Sequence, residues 1–142
     1  MEGLNNCYTL FFDSITFDGD LRINVIEGRK SKSPESLEIC GKELGLVHKL
    51  QPESDSSEFT ISFQRPVVWQ VIDESYSIYN DEEEFDLKGL FSIISKSRYL
   101  EYVNQTHGLY KDCIGPGKLY RVWTEDQVIE VVAVDEPTIS KN

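Results

Sequence analysis

Glu58-Phe59-Thr60-Ile61-Ser62-Phe63-Gln64 alternates polar and apolar residues at every step. Successive side chains of a strand point to opposite faces, so this stretch reads as a β-strand burying Phe59, Ile61 and Phe63. The other face is wet, the habit of antiparallel sheets. Pro66 then interrupts, and Val67 to Ile72 continues as a more uniformly apolar strand around Trp69. Proline cannot donate to a ladder, so Pro66 suits a strand start or a sheet edge.

The same reading extends in both directions. Tyr8 to Phe12 is a short apolar strand, and Leu21-Arg22-Ile23-Asn24-Val25 alternates as a half-buried one. Asp18-Gly19-Asp20 is a turn signal that makes the two a hairpin or neighbours. Glu27 to Ser36 reads as a polar surface loop, Leu37 to Cys40 as a strand ended by Gly41, and Gln51 to Ser57 as a loop. Leu90 to Ile94 reads as another strand. Ser97 can cap a helix that runs to Gly108, with Tyr99, Leu100, Tyr102, Val103 and Thr106 at helical spacing. Gly115-Pro116-Gly117 is a tight turn. Leu119 to Trp123 and Val128 to Val134 are two antiparallel strands joined by Thr124 to Gln127, and Glu136-Pro137 closes the chain's pattern. The expected fold is α+β: one domain over residues 1–142, mostly antiparallel sheet, open to curling toward a barrel, with one late helix near residues 97–107.

The chain has 142 residues, 25 Asp+Glu and 14 Lys+Arg, a formal net charge of -11. Area scaling gives roughly 7,500 Å² for a compact chain of this mass, so a useful core is available without staples. Such acidity argues against nucleic acid, whose phosphates repel it, and against an anionic membrane surface. Met1 to Cys7 has no basic or apolar leader region, and no apolar run approaches membrane-spanning length. Cys7, Cys40 and Cys113 are odd in number and widely spaced, which predicts three reduced and mostly buried thiols and a cytoplasmic location.

From Val71 to Pro137 a set of short blocks keeps a distinctive order: Asp73-Glu74-Ser75-Tyr76, Glu84-Phe85, Gly89-Leu90-Phe91, Ser95 to Val103, Gly115-Pro116, Leu119-Tyr120 and Val128 to Val132. This stretch resembles a group of small uncharacterised bacterial proteins common in bacilli. The resemblance implies no activity. By size and acidity the chain is also similar to immunity proteins that neutralise bacterial toxins, an analogy that implies a partner of opposite charge.

Asp73, Glu74, Asp81, Glu82, Glu83, Glu84 and Asp86 place seven carboxylates in fourteen positions with no Lys or Arg among them. Like charges this close destabilise unless something basic or metallic answers them. Three readings follow: a docking surface for a basic partner, a calcium site, or a solvated loop blunting a sheet edge. Calcium loop spacing fails, because the central glycine is absent and Phe85 interrupts. Tyr76 and Tyr79 adjoin the run and extend the docking reading as aromatic anchors.

Catalytic sets are sparse. His107 and Cys113 could pair if the helix end folds back. Ser75 lacks a nucleophile elbow, and the glycines around Lys42 and Lys118 lack phosphate-loop spacing. No cofactor and no metal site is expected. The leading expectation is a non-enzymatic cytoplasmic protein-binding domain, in its most concrete form an immunity-type inhibitor docking a basic toxin surface through Asp73, Glu74, Tyr76, Tyr79, Asp81, Glu82, Glu83, Glu84 and Asp86. One alternative is a small-ligand binder or enzyme with a pocket in the curved sheet, lined by Trp69, Tyr102 and Trp123. Another is an assembly subunit using an exposed sheet edge.

Overall fold

The computed structural model describes residues 1–78 and 80–142. The strands expected around Ile61 and Trp69 belong to two different antiparallel sheets. The first has the order β1 (Thr9–Phe17), β2 (Leu21–Lys30), β6 (Glu58–Phe63), β12 (Thr138–Lys141), with β5 (Leu50–Pro52) also paired to β2. The second has the order β7 (Val68–Asp73), β11 (Gln127–Ala133), β10 (Lys118–Trp123), β9 (Phe91–Lys96), β8 (Glu84–Leu87). A separate hairpin pairs β3 (Glu35–Ile39) with β4 (Lys42–Val47).

The two sheets stack through the faces that period-two patterning picks out. Leu10, Leu21, Ile23, Val25, Phe59, Ile61 and Phe63 meet Phe91, Ile93, Tyr120, Val122, Ile129, Val131 and Ala133 in one buried cluster. Cross-strand register aligns the isoleucines: Ile15 faces Ile23, Ile23 faces Ile61, and Ile61 faces Ile139. Tyr120 lies between Phe63 and Phe91, with ring centroids 5.4 and 6.1 Å away.

The sheets do not close into a barrel. The chain leaves β11 and returns as β12 to the edge of the first sheet, beside β6, so each sheet keeps its own edges. Pro66 precedes β7, which is an edge strand as proline's missing donor requires.

The expected helix is α2 (Arg98–His107), and the Ser97 hydroxyl accepts from the Leu100 amide at 3.0 Å. It buries Leu100 and Val103 against Ile94, Leu119 and Val132, on the face of the second sheet turned away from the sandwich. Tyr102 departs from the expected stripe and is exposed. Gly108 ends α2, yet its φ is -64°, right-handed. Glycine is needed there because a Cβ would lie 2.2 Å from the Asn104 carbonyl oxygen. The chain bends and continues as α3 (Leu109–Ile114). A short helix α1 (Glu2–Asn5) also precedes β1. Its Asn5 amide donates to the Phe91 carbonyl at 3.0 Å and accepts from the Phe91 N–H at 2.7 Å, occupying the backbone of β9.

Other expectations need correction. The presumed loop from Glu27 begins inside β2, which extends to Lys30 because β5 pairs with its end. Lys42 to Val47, Leu50 to Pro52 and the segment after Pro137 are strands, stabilised by pairings invisible to local pattern. The cysteines are not mostly buried: Cys7 is half-buried, and Cys40 and Cys113 are exposed. No helix among the described residues is long and apolar enough to cross a membrane.

Tyr120 carries the clearest electrostatic signature of this core. Burial, reinforced by Glu136, Asp135 and Asp86, pushes its phenol up from 10.0 to about 12. The folded state therefore holds the proton after the unfolded chain has lost it, and stability falls as pH rises from 10.0 through about 12. Urea melts across that interval should show a steeper decline for the native chain than for Tyr120→Phe. Equal slopes would mean that Tyr120 carries no such linkage.

Candidate functional site

Two strands of the second sheet each carry a charged residue in the middle of an otherwise apolar run. Arg121 interrupts Leu119-Tyr120-Arg121-Val122-Trp123 and Glu130 interrupts Val128-Ile129-Glu130-Val131-Val132. The two are directly paired across β10 and β11. Alternation places them on the face away from the sandwich, in the same layer as α2 and beside its first residues, Arg98 and Tyr99. That uncovered part of the sheet is bordered by residues from the segment between β7 and β8, among them Tyr76, Ser77, Ile78 and Glu83.

This segment is fastened by Glu83. Its side chain retains only 6% of its accessible surface. Arg121 Nη1 and Nη2 donate to its two carboxylate oxygens at 3.0 and 2.6 Å, a fork-to-fork pair. Arg121 Nε and Nη2 also donate to Glu130 Oε2 at 3.1 and 2.9 Å, and Gln70 Nε2 donates to Glu130 Oε1 at 2.9 Å. Burial disfavours the Arg121 charge, but the two carboxylates outweigh it and raise its pKa. Burial and Glu130 likewise raise the pKa of the nearby Tyr99 phenol.

A cleft of about 410 Å³ lies on one side of this triad. Its wall is Ile72, Tyr76, Ile78, Phe85, Trp123 and Val128, and its polar groups include Ser77, Lys88 and Ser92. The Arg121 guanidinium carbon sits 5.8 Å from the Trp123 ring centre. Ser77 Oγ is buried and has no hydrogen-bond partner among the described residues. On the other side a more polar groove of about 500 Å³ runs past Asn80, Asp81 and Glu82 to Ser97, Arg98 and Tyr99. Ile78, Glu83, Arg121 and Glu130 border both.

The acidic run is therefore answered from within the chain. Asp86 pairs with Lys118 at 2.7 Å, Glu82 with Arg98 at 3.7 Å and Glu84 with Lys96 at 3.9 Å, all exposed pairs of small energetic weight. Asp73 ends β7 and accepts from the Ser75 amide at 3.0 Å, capping a single 3₁₀ turn (Glu74–Tyr76). Among the described residues no ion pair involves Asp73, Glu74 or Asp81. Tyr76 and Ile78 are 79% and 92% exposed at the cleft. Tyr79 lies outside the described residues.

The pocket expected from Trp69, Tyr102 and Trp123 is not assembled as such. Trp123 lines the cleft, but Trp69 packs on the opposite face, 6.2 Å from Phe17. Tyr102 stacks on Tyr99 at 6.4 Å, on the exposed side of α2. His107 and Cys113 are both exposed and share no hydrogen bond. Among the described residues no three metal-binding side chains lie close enough to hold an ion. Sequence reading passed over Arg121 and Glu130, although a charge inside each of two adjacent apolar strands was a usable signal. It could not see Gln70 as their support. No protein-family model, curated protein or solved structure matches this chain.

Removing one member of a buried ion pair strands the others. Arg121→Met should destabilise the chain by about 3–5 kcal/mol, whereas Glu82→Gln, in an exposed pair, should change it by less than about 0.5 kcal/mol. Urea denaturation of both variants checks this, and equal midpoints would refute the anchoring role of Arg121.

Proposed function

We propose that this chain is a non-enzymatic cytoplasmic protein-binding domain whose cleft receives an apolar side chain of a basic partner. The observation carrying this reading is the division of labour at the cleft. Its floor charges are engaged with one another, while Tyr76, Ile78 and the neighbouring carboxylates face solvent. An engaged Arg121 and Glu130 offer no free acid, base or nucleophile, so the chemistry on offer is recognition. Trp123, Tyr76 and Ile78 supply the apolar anchor site. Asp73, Glu74, Asp81, Glu82 and Glu84 supply the field that steers a cationic surface. In its most concrete form the domain is an immunity-type inhibitor that occludes a toxin's basic surface, with no bond made or broken.

Glu83 holds a different place in this scheme from its neighbours. It organises the segment between β7 and β8 from inside and is not available to a partner, so a neutralising set that includes it tests folding together with docking.

A second reading rests on Ser77. Its buried hydroxyl lines the cleft and has no partner among the described residues, and a small amphipathic ligand with one polar group there would satisfy it.

The tagged chain should retain a basic protein from a lysate of its source organism, releasing it as salt rises. Asp73→Asn, Glu74→Gln, Asp81→Asn and Glu82→Gln together should lower retention about tenfold, and Tyr76→Ser with Ile78→Ser should abolish it. Retention that neither variant alters would exclude the cleft as the docking site. Retention of a small molecule by the native chain, detected by mass spectrometry after denaturation, would instead select the second reading.

A further inference from the structure

The charges that line the Trp123 cleft answer one another. Glu83 accepts from Arg121 on both carboxylate oxygens, and Glu130 accepts from Gln70 on one and from Arg121 on the other. The Arg121 guanidinium carbon also lies 5.8 Å from the Trp123 ring centre, and Lys88 Nζ lies 5.1 Å from that of Phe85. The two cations of the lining thus match its two carboxylates in number. An ion entering from water would shed its hydration and find no opposite charge waiting for it.

The neutral side-chain hydroxyls differ from each other. Ser92 Oγ donates to the Gly89 carbonyl at 2.8 Å and accepts from the Gly89 amide at 3.2 Å. Ser77 Oγ is buried and has no hydrogen-bond partner among the described residues. A hydroxyl both donates and accepts, so a single neutral polar group satisfies it. The wall around it is mainly apolar, and Tyr76, Phe85 and Trp123 make it rich in rings. Such rings favour another ring, stacked with an offset or met edge-on. A volume of about 410 Å³ falls in the range that takes a small organic molecule.

We propose that the Trp123 cleft binds an uncharged, flat aromatic molecule whose one hydroxyl or carbonyl group hydrogen-bonds to Ser77 Oγ. This rests on the small-ligand reading of the cleft and names the chemistry of the ligand. The molecule lies on the wall that would anchor a protein side chain, so bound ligand and docked partner exclude each other.

Four probes share one naphthalene body and differ at the head: naphthylethanol, ethylnaphthalene, naphthylacetate and naphthylethylamine. Near neutral pH they present an alcohol, a hydrocarbon, an anion and a cation. Equilibrium dialysis against the full chain, with protein in excess up to about 1 mM, measures each by the absorbance of its ring. Naphthylethanol should bind with a Kd on the order of 0.1 mM, and both ions at least about tenfold more weakly. Ser77→Ala should weaken naphthylethanol about fivefold, the effect of one hydrogen bond, while leaving ethylnaphthalene unchanged or tighter. Tyr76→Ser with Ile78→Ser, which removes apolar wall, should weaken both neutral probes about tenfold. Ser77 and Ile78 lie outside the regular elements, and unchanged urea midpoints certify folding of both variants. The comparison of charges needs no variant at all.

Tightest binding of naphthylacetate would assign the head group to Lys88, and tightest binding of naphthylethylamine would assign it to the acidic rim. Either result overturns the proposal. So does equal weakening of both neutral probes by Ser77→Ala, and so does native affinity in the wall variant, which would place the probes elsewhere. Failure of all four probes to bind overturns it as well. The small-ligand reading then stands alone if mass spectrometry finds another molecule on the native chain, and falls too if it finds none.

Discussion

One guanidinium organises the functional half of this molecule. Arg121 is fixed from below by Glu130, itself held by Gln70, and closes upward on Glu83. Among the described residues between β7 and β9 there are only four of regular strand, β8, and one 3₁₀ turn. Without a strong local tie that segment would have little reason to lie over the sheet. A bidentate, nearly dry ion pair supplies the tie and its geometry, and the cleft exists because the segment is pinned at Glu83 and stands off at Tyr76 and Ile78. Arginine suits this position better than lysine, since its fork serves two carboxylates at once.

The triad sits where it does because the second sheet has two unlike faces. One is uniformly apolar and packs on the first sheet. The other is divided: Ile94, Leu119 and Val132 lie under α2, while Ser92, Arg121 and Glu130 lie beyond its end. The helix begins at Arg98, so its first residues border the triad while Leu100 and Val103 cover only the other half. The starting point of a helix and the placement of a charge thus jointly decide which part of the sheet is core and which is site. The net charge of -11 acquires a finer meaning in this setting. Four of the seven clustered carboxylates meet cations brought from α2, β9 and β10, and the field left over belongs mainly to Asp73, Glu74 and Asp81.

Local pattern was legible wherever a strand or helix has one wet face. Phe59-Thr60-Ile61-Ser62-Phe63, the hairpin of Leu119 and Val128, the turn at Gly19 and the Ser97 cap could all be read directly, because period and capping chemistry are encoded in neighbouring residues. The strands β4, β5 and β12 were not legible. Each is short and none buries a residue fully, and each is a strand only through its partner: β3, β2 and β6 respectively. The acidic run was read as a single patch because charges close in sequence were assumed to share surroundings.

The amino-acid sequence by itself determined an α+β chain of mostly antiparallel strands, a helix capped by Ser97, and an acidic stretch beside Tyr76. These follow from periodicity, capping and charge, all properties of adjacent residues. Only the tertiary structure decided that the strands split into two stacked sheets and do not close, that Glu83 turns inward while Glu84 turns out, and that Trp123 and not Trp69 lines a cleft. The reason is physical: which face of a strand is buried, and which charge meets a counter-charge, depends on residues distant in sequence, as Arg121 is 38 positions from Glu83. Their approach is set by packing of the whole core.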